Sequence, residues 1–369
     1  MLNKDRLVET FLELVQIDSE TGHEREIADH LTKLMTDLGY HVIEDDSQKD
    51  TGFGAGNLII NIVGDESRKP IYFSCHMDTV TPGQGIKPVI KDEVIYSDGT
   101  TILGADDKAG IAVLLETLKV IKEENIEHGP LQIVISVGEE SQLVGAKAFD
   151  SEYLTSEFGY ALDSGNEVGT IVTAAPSQAK LEVNITGKTA HAGLAPENGI
   201  SAINIAAKAV SRMTLGRIDA ETTANIGRFE GGTVTNIVAD SCFILAEARS
   251  LDQSKLDQQV AHMKETFEQT ASEMGGSAEV KVTPSYPAFN VAENSEAVQV
   301  AKQAAKNVGL TPVLKKSGGG SDANIFNGFG IPTLVLAVGY QDIHTKQEKM
   351  PISELVKLNE QVLEIIKLV

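Results

Sequence analysis

The stretch LGADDKAG, residues 103–110, places two adjacent carboxylates in a glycine-flanked turn. The apolar run 111–115 follows it directly, so the turn is expected to open a helix over about 107–124. Two interpretations fit Asp106 and Asp107. Aspartates at a helix start cap free N–H groups and complement the helix dipole, but a functional site would use the same residues. The rest of the chain favours the second interpretation.

Polar side chains also follow three short apolar segments that are typical of buried strands. These side chains are His76 and Asp78 in the run 71–80, Glu139 and Glu140 after 131–137, and Asp163 after 160–162. Residues two apart on a strand share a face, so His76 and Asp78 are expected to point the same way. In α/β sheets, sites form at the carboxyl ends of strands. We therefore expect these groups to converge at one edge of the sheet.

The alternation of helices and strands predicts an α/β fold, with a catalytic domain whose mostly parallel sheet is flanked by helices. Helices are expected at 3–16 and 23–38, and Thr21 with Glu24 resembles a capping box for the second.

From about residue 178 the strands alternate polar and apolar residues, as half-exposed antiparallel strands do. The elements expected there are strands at 180–185, 223–229, 233–238, 242–250 and 278–283 and helices near 199–214 and 252–273. The sequence thus predicts a catalytic domain of residues 1–177 and 286–369, interrupted by a smaller inserted α+β domain at 178–285.

Composition restricts the possible partners and location. The chain has 369 residues, of which 41% are hydrophobic and 23% charged, as in ordinary globular proteins with more than one core. A net charge of −22 argues against nucleic acid or an anionic membrane as a partner. No signal-like segment opens the sequence, and no apolar run reaches the roughly 18 residues of a membrane span. Two cysteines make no disulfide framework, so a cytoplasmic location is expected.

The side chains at the strand ends are imidazoles and carboxylates without a thiolate. That donor set suits zinc, manganese or cobalt in a catalytic site. Two metal ions about 3.5–4 Å apart need a shared ligand, and one carboxylate can give an oxygen to each, a role we assign to Asp106. The expected metal ligands are His76, Asp106, Glu140, Asp163 and His344, with Asp78 and Glu139 beside them. The residues by themselves predict a dinuclear metal hydrolase.

Six motifs occur in the order found in one large family. They are His76-Met77-Asp78-Thr79, Gly104-Ala105-Asp106-Asp107-Lys108, Gly138-Glu139-Glu140, Leu162-Asp163, Ala190-His191-Ala192-Gly193 and Ile343-His344-Thr345. This set resembles the two-domain di-zinc exopeptidases that include aminoacylase, the glutamate carboxypeptidases and peptidase T. The resemblance covers nearly the whole chain, and the segments 74–79 and 104–110 look closest to peptidase T.

The resemblance implies a role for each matching residue. Asp106 would bridge two ions, His76 and Asp163 would complete one site, and Glu140 and His344 the other, while Asp78 orients His76 and Glu139 is the general base. His191 would stabilise the oxyanion, often from the other subunit of a dimer, and Asn236, Arg249, Gly319 and Gly320 would contact the substrate. The resemblance also implies a cis peptide between Asp106 and Asp107. The expected partners are a short peptide substrate and a second copy of the chain, paired through the inserted domain.

One departure from peptidase T bears on specificity. Peptidase T carries an Arg before its Gly-Gly-Thr-Asp turn, where this chain has Gly318 before Gly319-Gly320-Ser321-Asp322. The expected function is a metal-dependent exopeptidase acting on short peptides. The alternative is an amidohydrolase that removes the acyl group of an N-acyl amino acid on the same site. A non-catalytic binding protein is disfavoured, because every ligand position and the base at Glu139 are filled.

Overall fold

The computed structural model describes residues 2–369 and divides into two compact units. The first unit contains the residues up to Ala174 together with Val291–Ser317 and Ser321–Val369. The second unit contains Ala175–Asn290 and the short loop Gly318–Gly320. None of the helices in the described part of the chain is both long and apolar enough to span a bilayer.

The secondary structure alternates between helix and strand along the first unit and is mainly strand in the second. The α-helices are α1 Lys4–Val15, α2 Arg25–Asp37, α3 Ser47–Thr51, α4 Ala105–Glu124, α5 Val144–Ala148, α6 Ala202–Ser211, α7 Gln253–Glu273, α8 Glu296–Asn307, α9 Asp322–Gly328 and α10 Ile352–Leu368. The strands are β1 Val42–Glu44, β2 Leu58–Ile62, β3 Ile71–His76, β4 Val89–Lys91, β5 Val94–Tyr96, β6 Leu131–Ser136, β7 Phe158–Leu162, β8 Thr170–Ala175, β9 Ser177–Thr186, β10 Gly216–Arg217, β11 Thr222–Gly231, β12 Ser241–Ser250, β13 Ser277–Tyr286, β14 Phe289–Asn290, β15 Val313–Lys316, β16 Thr333–Leu336 and β17 Lys349–Pro351.

The first unit is built on a mixed sheet with a parallel centre. Its strands lie in the order β1-β2-β6-β3-β7-β16-β8, with β15 beside β8. Strand β3 pairs in parallel with both β6 and β7, and β16 pairs in parallel with β7. Every residue of β3, β6 and β7 is buried, because helices cover the sheet. This burial explains the continuous apolar runs and confirms the predicted α/β class.

Helix α4 is an unusually buried helix that packs against α1 and α10. Its apolar residues face all sides, as in Ile111, Val113, Leu114 and Leu118, so water is excluded along most of its length. The helix therefore fixes the position of the turn at its start, which carries Asp106 and Asp107.

The second unit is an antiparallel sheet in the order β10-β11-β12-β9-β13, packed against α6 and α7. Alternate residues of β9, such as Leu181, Val183 and Ile185, are buried in its core with Phe267 of α7. Their neighbours along the strand are more exposed, as the period of two in the sequence predicted. This confirms the smaller α+β part of the predicted fold.

The predicted strand at 233–238 is wrong. The segment is a loop whose backbone hydrogen bonds go to another loop, with Ala192 N donating to Asn236 O (3.0 Å) and Val238 N donating to Ala190 O (2.9 Å). Only one isolated bridge, between His191 and Ile237, has strand geometry. Local alternation of apolar residues therefore did not produce a strand, because no ladder partner is available there.

The predicted capping box of α2 is also wrong. The N-cap residue Glu24 lies in the right-handed helical region and makes no side-chain cap. Instead, Thr21 Oγ1 donates to Asp78 Oδ2 (2.7 Å), and Glu24 Oε1 accepts from Gly22 N (2.8 Å). The helix starts at Arg25, so Thr21 lies three residues ahead of the N-cap and is out of register for a capping box.

Candidate metal centre

The sheet of the first unit collects the candidate ligands at one edge. His76 is the last residue of β3, Glu139 and Glu140 follow β6, and Asp163 follows β7. These three strands are neighbours and run parallel, so their carboxyl ends lie side by side.

Two further candidate ligands reach the same edge from other elements, Asp106 from the start of α4 and His344 from the loop after β16. The structure groups the candidate ligand atoms in three sets, each within 4.8 Å of one another. The sets are His76 with Asp106 and Asp163, Asp106 with Glu140 and His344, and His76 with Glu139 and Glu140.

The carboxylate of Asp106 lies between two imidazoles. Its Oδ1 is 3.1 Å from His76 Nε2, and its Oδ2 is 3.4 Å from His344 Nε2. The same nitrogen of each imidazole also faces a second carboxylate, because Glu140 Oε1 is 2.8 Å from His344 Nε2 and Asp163 Oδ1 is 4.0 Å from His76 Nε2. One oxygen of Asp106 thus faces each half of the cluster, which is the arrangement that a bridging ligand requires.

The electrostatics of the cluster favour cations. Removal from water, and then repulsion from Asp106, raises the pKa of Asp163, and removal from water with repulsion from Asp163 raises the pKa of Glu139. Hydrogen bonds to Asp106 and Glu140 raise the pKa of His344 to about 10. Several carboxylates that repel one another in a desolvated space are stabilised by a divalent ion. The donors are imidazole nitrogens and carboxylate oxygens, so the residues present fit zinc, manganese or cobalt.

Asp106 and Asp107 divide the two roles that the sequence left open. Asp106 belongs to the cluster, whereas Asp107 satisfies backbone groups: its Oδ2 accepts from His76 N (3.3 Å) and its Oδ1 from Gly110 N (3.2 Å). The peptide bond that joins the two aspartates is cis. The helix-capping interpretation therefore holds for the second aspartate.

Asp78 is fully buried and holds two parts of the cluster together. Its main-chain oxygen lies 3.0 Å from His76 Nδ1, and its Oδ1 lies 3.4 Å from the same nitrogen. The carboxylate also accepts from the main-chain N–H of Glu139 (2.9 Å) and of Glu140 (3.3 Å). Gly138 makes this turn possible, since its φ is +59° and a Cβ there would lie 2.3 Å from the ring of Phe53.

Tyr340 is a site residue that the sequence reasoning missed. Its hydroxyl donates to Asp163 Oδ1 (3.1 Å), and only 1% of the residue is exposed. Burial raises the pKa of Tyr340, so the hydroxyl keeps its proton and remains a donor. The residue follows the buried strand β16, and the rule used for the acids, a polar group just beyond a buried strand, would have found it.

The residues expected to contact substrate all lie in the second unit. His191 Nδ1 accepts from Gly193 N and Leu194 N, both at 3.2 Å, which leaves the proton on Nε2. The hydrogen bond from Ala192 N to Asn236 O brings the loops of His191 and Asn236 together.

Part of the guanidinium group of Arg249 is already engaged in contacts within the protein. Its Nε is 2.9 Å from Glu247 Oε1, its Nη2 is 3.2 Å from Glu247 Oε2, and its Nη1 is 3.5 Å from Gly318 O. The Nε edge of the guanidinium is therefore taken by Glu247. Gly320 lies against the ring of Tyr286, where a Cβ would come within 2.4 Å, so only glycine fits.

Comparison with known proteins identifies one peptidase family and several similar proteins. Residues 72–367 match the profile of peptidase family M20/M25/M40. The protein YqjE of Bacillus subtilis (strain 168) is 59% identical over 367 residues, which are 100% of this chain and 99% of the relative. The crystal structure of aminopeptidase PepT from Bacillus cereus is 60% identical, covers 99% of this chain and 98% of that one, and has a TM-score of 0.94. A tripeptidase structure from Staphylococcus aureus is 54% identical, covers 100% and 99%, and has a TM-score of 0.98.

The contact between Tyr340 and Asp163 yields a first prediction. Tyr340→Phe removes only the hydroxyl, so the carboxylate loses its orienting donor and the affinity for a divalent ion should fall by about 10–100-fold. Zinc affinity is measured by competition with a chromophoric chelator. Tyr160→Phe is the matched control, because Tyr160 is equally buried and its hydroxyl donates to Ala297 O (2.8 Å), away from the cluster. Equal zinc affinity in Tyr340→Phe and the unmodified protein would contradict the assignment.

Proposed function

The chain belongs to peptidase family M20/M25/M40 and is a metallopeptidase, and on that basis we propose that it is an exopeptidase that hydrolyses short peptides at a dinuclear zinc centre. The observation that carries the proposal is the carboxylate of Asp106, which presents one oxygen to His76 and the other to His344. Two ions that share a carboxylate are the arrangement used for metal-assisted hydrolysis.

Five residues would hold the ions. His76, Asp163 and Asp106 would bind one ion, and Asp106, Glu140 and His344 the other. Bound divalent ions supply a polarised substrate carbonyl and a water molecule whose pKa is lowered. Tyr340 keeps Asp163 in place through its hydroxyl, and Asp78 keeps His76 in place through its main-chain and side-chain oxygens.

Glu139 is our candidate for the general base. Its carboxylate lies in the same group as His76 and Glu140, within 4.8 Å, and Asp78 holds its backbone. Its pKa is raised by removal from water, so it accepts a proton more readily than an exposed glutamate. In the proposed reaction Glu139 takes a proton from the attacking water and returns it to the leaving amine.

His191 is our candidate for stabilising the oxyanion. Since Nδ1 accepts two backbone N–H groups, Nε2 carries the proton and is a hydrogen-bond donor. A donor that meets the substrate oxygen as charge develops lowers the barrier more than it improves binding.

A reducing compartment is consistent with the cysteines. Cys75 and Cys242 are both buried and neither forms a disulfide. We propose a cytoplasmic location on this ground.

We also propose that two copies of the chain pair through the second unit. Strand β10 pairs only with Thr223 and Ala224 of β11, and in residues 2–369 no other strand lies beside Asn225–Gly231 on that side. Exposed apolar side chains occur on this unit at Phe229, Val234 and Ile237. An exposed strand edge with apolar neighbours is a template for pairing with a second strand.

The dimer proposal predicts the effect of a charge on the free edge. Phe229→Asp should shift the protein from dimer to monomer, measured by size-exclusion chromatography with light scattering. Val63→Asp is the control, because Val63 is 91% exposed and lies in the first unit. A monomeric unmodified protein, or a Phe229→Asp variant that stays dimeric, would contradict pairing through β11.

Arg249 is predicted to help bind the substrate carboxylate through its Nη1 side, which Glu247 does not contact and which makes only a 3.5 Å hydrogen bond to Gly318 O. Arg249→Ala should lower kcat/KM for peptides by about tenfold or more, mainly through KM, since a hydrogen bond to a charged group contributes roughly 1.5–3 kcal/mol. Arg212→Ala is the control, because Arg212 forms an ion pair with Glu273 (2.7 Å) elsewhere in the same unit. Steady-state kinetics that show equal kcat/KM for Arg249→Ala and the unmodified enzyme would place the carboxylate site elsewhere.

A matched substrate panel tests the function itself. Dipeptides and tripeptides should be hydrolysed, a chelator should abolish the activity, and N-acyl amino acids distinguish the deacylase alternative. Because glycine stands at position 318, we expect dipeptides to be turned over about as well as tripeptides. Glu139→Ala should lower kcat by about 100-fold or more, which is the scale of general acid–base catalysis. The variant should still bind its metal ions.

Three outcomes of this panel would contradict the proposals. Faster turnover of N-acyl amino acids than of any peptide would favour the deacylase. A 100-fold preference for tripeptides would refute the expected length tolerance. Loss of metal from purified Glu139→Ala would show that Glu139 is a ligand instead of the base.

A further inference from the structure

Glu348 is a buried carboxylate outside the ligand set, with 1% of the residue exposed. It accepts four backbone hydrogen bonds from one turn. Its Oε2 accepts from Leu103 N (2.8 Å) and Gly104 N (2.9 Å), and its Oε1 accepts from Ala105 N (2.8 Å) and Asp106 N (3.1 Å).

These four consecutive N–H groups belong to the turn 103–106, ahead of a kink at Asp106 and Asp107 where the backbone angles are not helical. Successive backbone N–H groups in a turn form a concavity that binds an anion. Glu348 supplies that anion from 243 residues further along the chain, counted from Ala105. The regular part of the helix follows the kink, where Asp107 accepts from Gly110 N.

Both segments that Glu348 joins carry a member of the cluster. Asp106 donates its own N–H to Glu348, and His344 lies four residues before Glu348 in the same loop. The loop closes on itself, because Glu348 N donates to Thr345 O (3.1 Å) and Gln341 and Lys349 exchange backbone hydrogen bonds of 2.9 and 3.0 Å.

His344 depends on this loop for its position. Its side chain is 48% exposed, so packing contributes little to holding it. Its φ is +60° and that of Asp342 is +55°, a left-handed conformation that non-glycine residues keep only where surrounding contacts enforce it. The loop that carries His344 is tied to the turn 103–106 by the buried carboxylate of Glu348.

We propose that Glu348 is a positioning residue that sets the distance between Asp106 and His344 and so completes the ion site that these two share with Glu140. The proposal rests on the proposed function in one respect, namely that the three residues bind an ion. A carboxylate is required, because its two oxygens accept all four hydrogen bonds. An amide at this place would turn an NH₂ group toward two of the N–H donors.

The test uses Glu348→Gln in the full chain. Two measurements are made on it, the number of zinc ions per chain with their affinities, and hydrogen exchange of residues 103–106 in metal-free protein. We expect one of the two zinc ions to bind at least tenfold more weakly, while the affinity for the other changes less than threefold. Amide hydrogen exchange at 103–106 should become at least tenfold faster. Adding Glu348→Gln to His344→Ala should cause no further loss of zinc, because the site that it supports is already incomplete.

Glu116→Gln is the matched control. Glu116 is fully buried and accepts from Asn3 N (3.0 Å) and Arg6 Nε (2.7 Å), in the middle of α4 and away from the cluster. This variant should keep both ions at unchanged affinity even if it unfolds at a lower temperature. If Glu348→Gln does not fold, Glu348→Asp keeps the charge on a shorter side chain and should weaken the same ion.

The outcomes separate this proposal from the proposed function. A folded Glu348→Gln or Glu348→Asp variant that binds two ions as tightly as the unmodified protein overturns the role of Glu348 and leaves the metal centre intact. Unchanged exchange at 103–106 overturns it as well. An unmodified protein that binds no ion pair refutes the dinuclear centre, whereas faster exchange in Glu348→Gln would still support the link between the loop and the turn.

Discussion

The structure of the first unit depends on one constraint, the crowding of carboxylates in a space removed from water. Glu139, Glu140 and Asp163 lie at the ends of parallel strands and meet Asp106 from the start of α4, and desolvation with mutual repulsion raises the pKa of Glu139 and Asp163. Like charges at this separation are unfavourable unless cations or hydrogen-bond donors offset them. The two histidines offset part of the repulsion, and the donor set fits divalent ions for the rest.

A second group of buried carboxylates holds the first in place and does not face the cluster centre. Asp78, Asp107 and Glu348 all accept main-chain N–H groups of the segments that carry ligands. Hydrogen bonds of this kind hold the candidate ligands in place without an ion, which is the preorganisation that a catalytic metal centre would require.

The second unit differs from the first in how its sheet is covered. Its sheet buries one set of alternating residues against α6 and α7 and leaves the other set and one strand edge exposed. The loops of His191 and Asn236 are joined by backbone hydrogen bonds, so a catalytic candidate and a binding candidate lie on directly connected loops. The pairing of Arg249 with Glu247 leaves only part of the guanidinium for a ligand and restricts the direction from which a carboxylate would bind.

The sequence by itself determined the fold class and the identity of the clustered residues. Continuous apolar runs indicate strands buried on both faces, and polar residues just beyond them are brought together by parallel pairing, so His76, Glu140 and Asp163 could be found from local pattern alone. Tertiary structure decided what depends on distant partners. Thr21 lies ahead of the start of α2 and donates to Asp78 instead, 233–238 had no strand to pair with, and Asp107 became the cap beside Asp106. The place of Tyr340 beyond the buried strand β16 was a local signal, but its contact with Asp163 and the contacts of Glu348 depend on atoms far away in the chain, which sequence spacing does not predict.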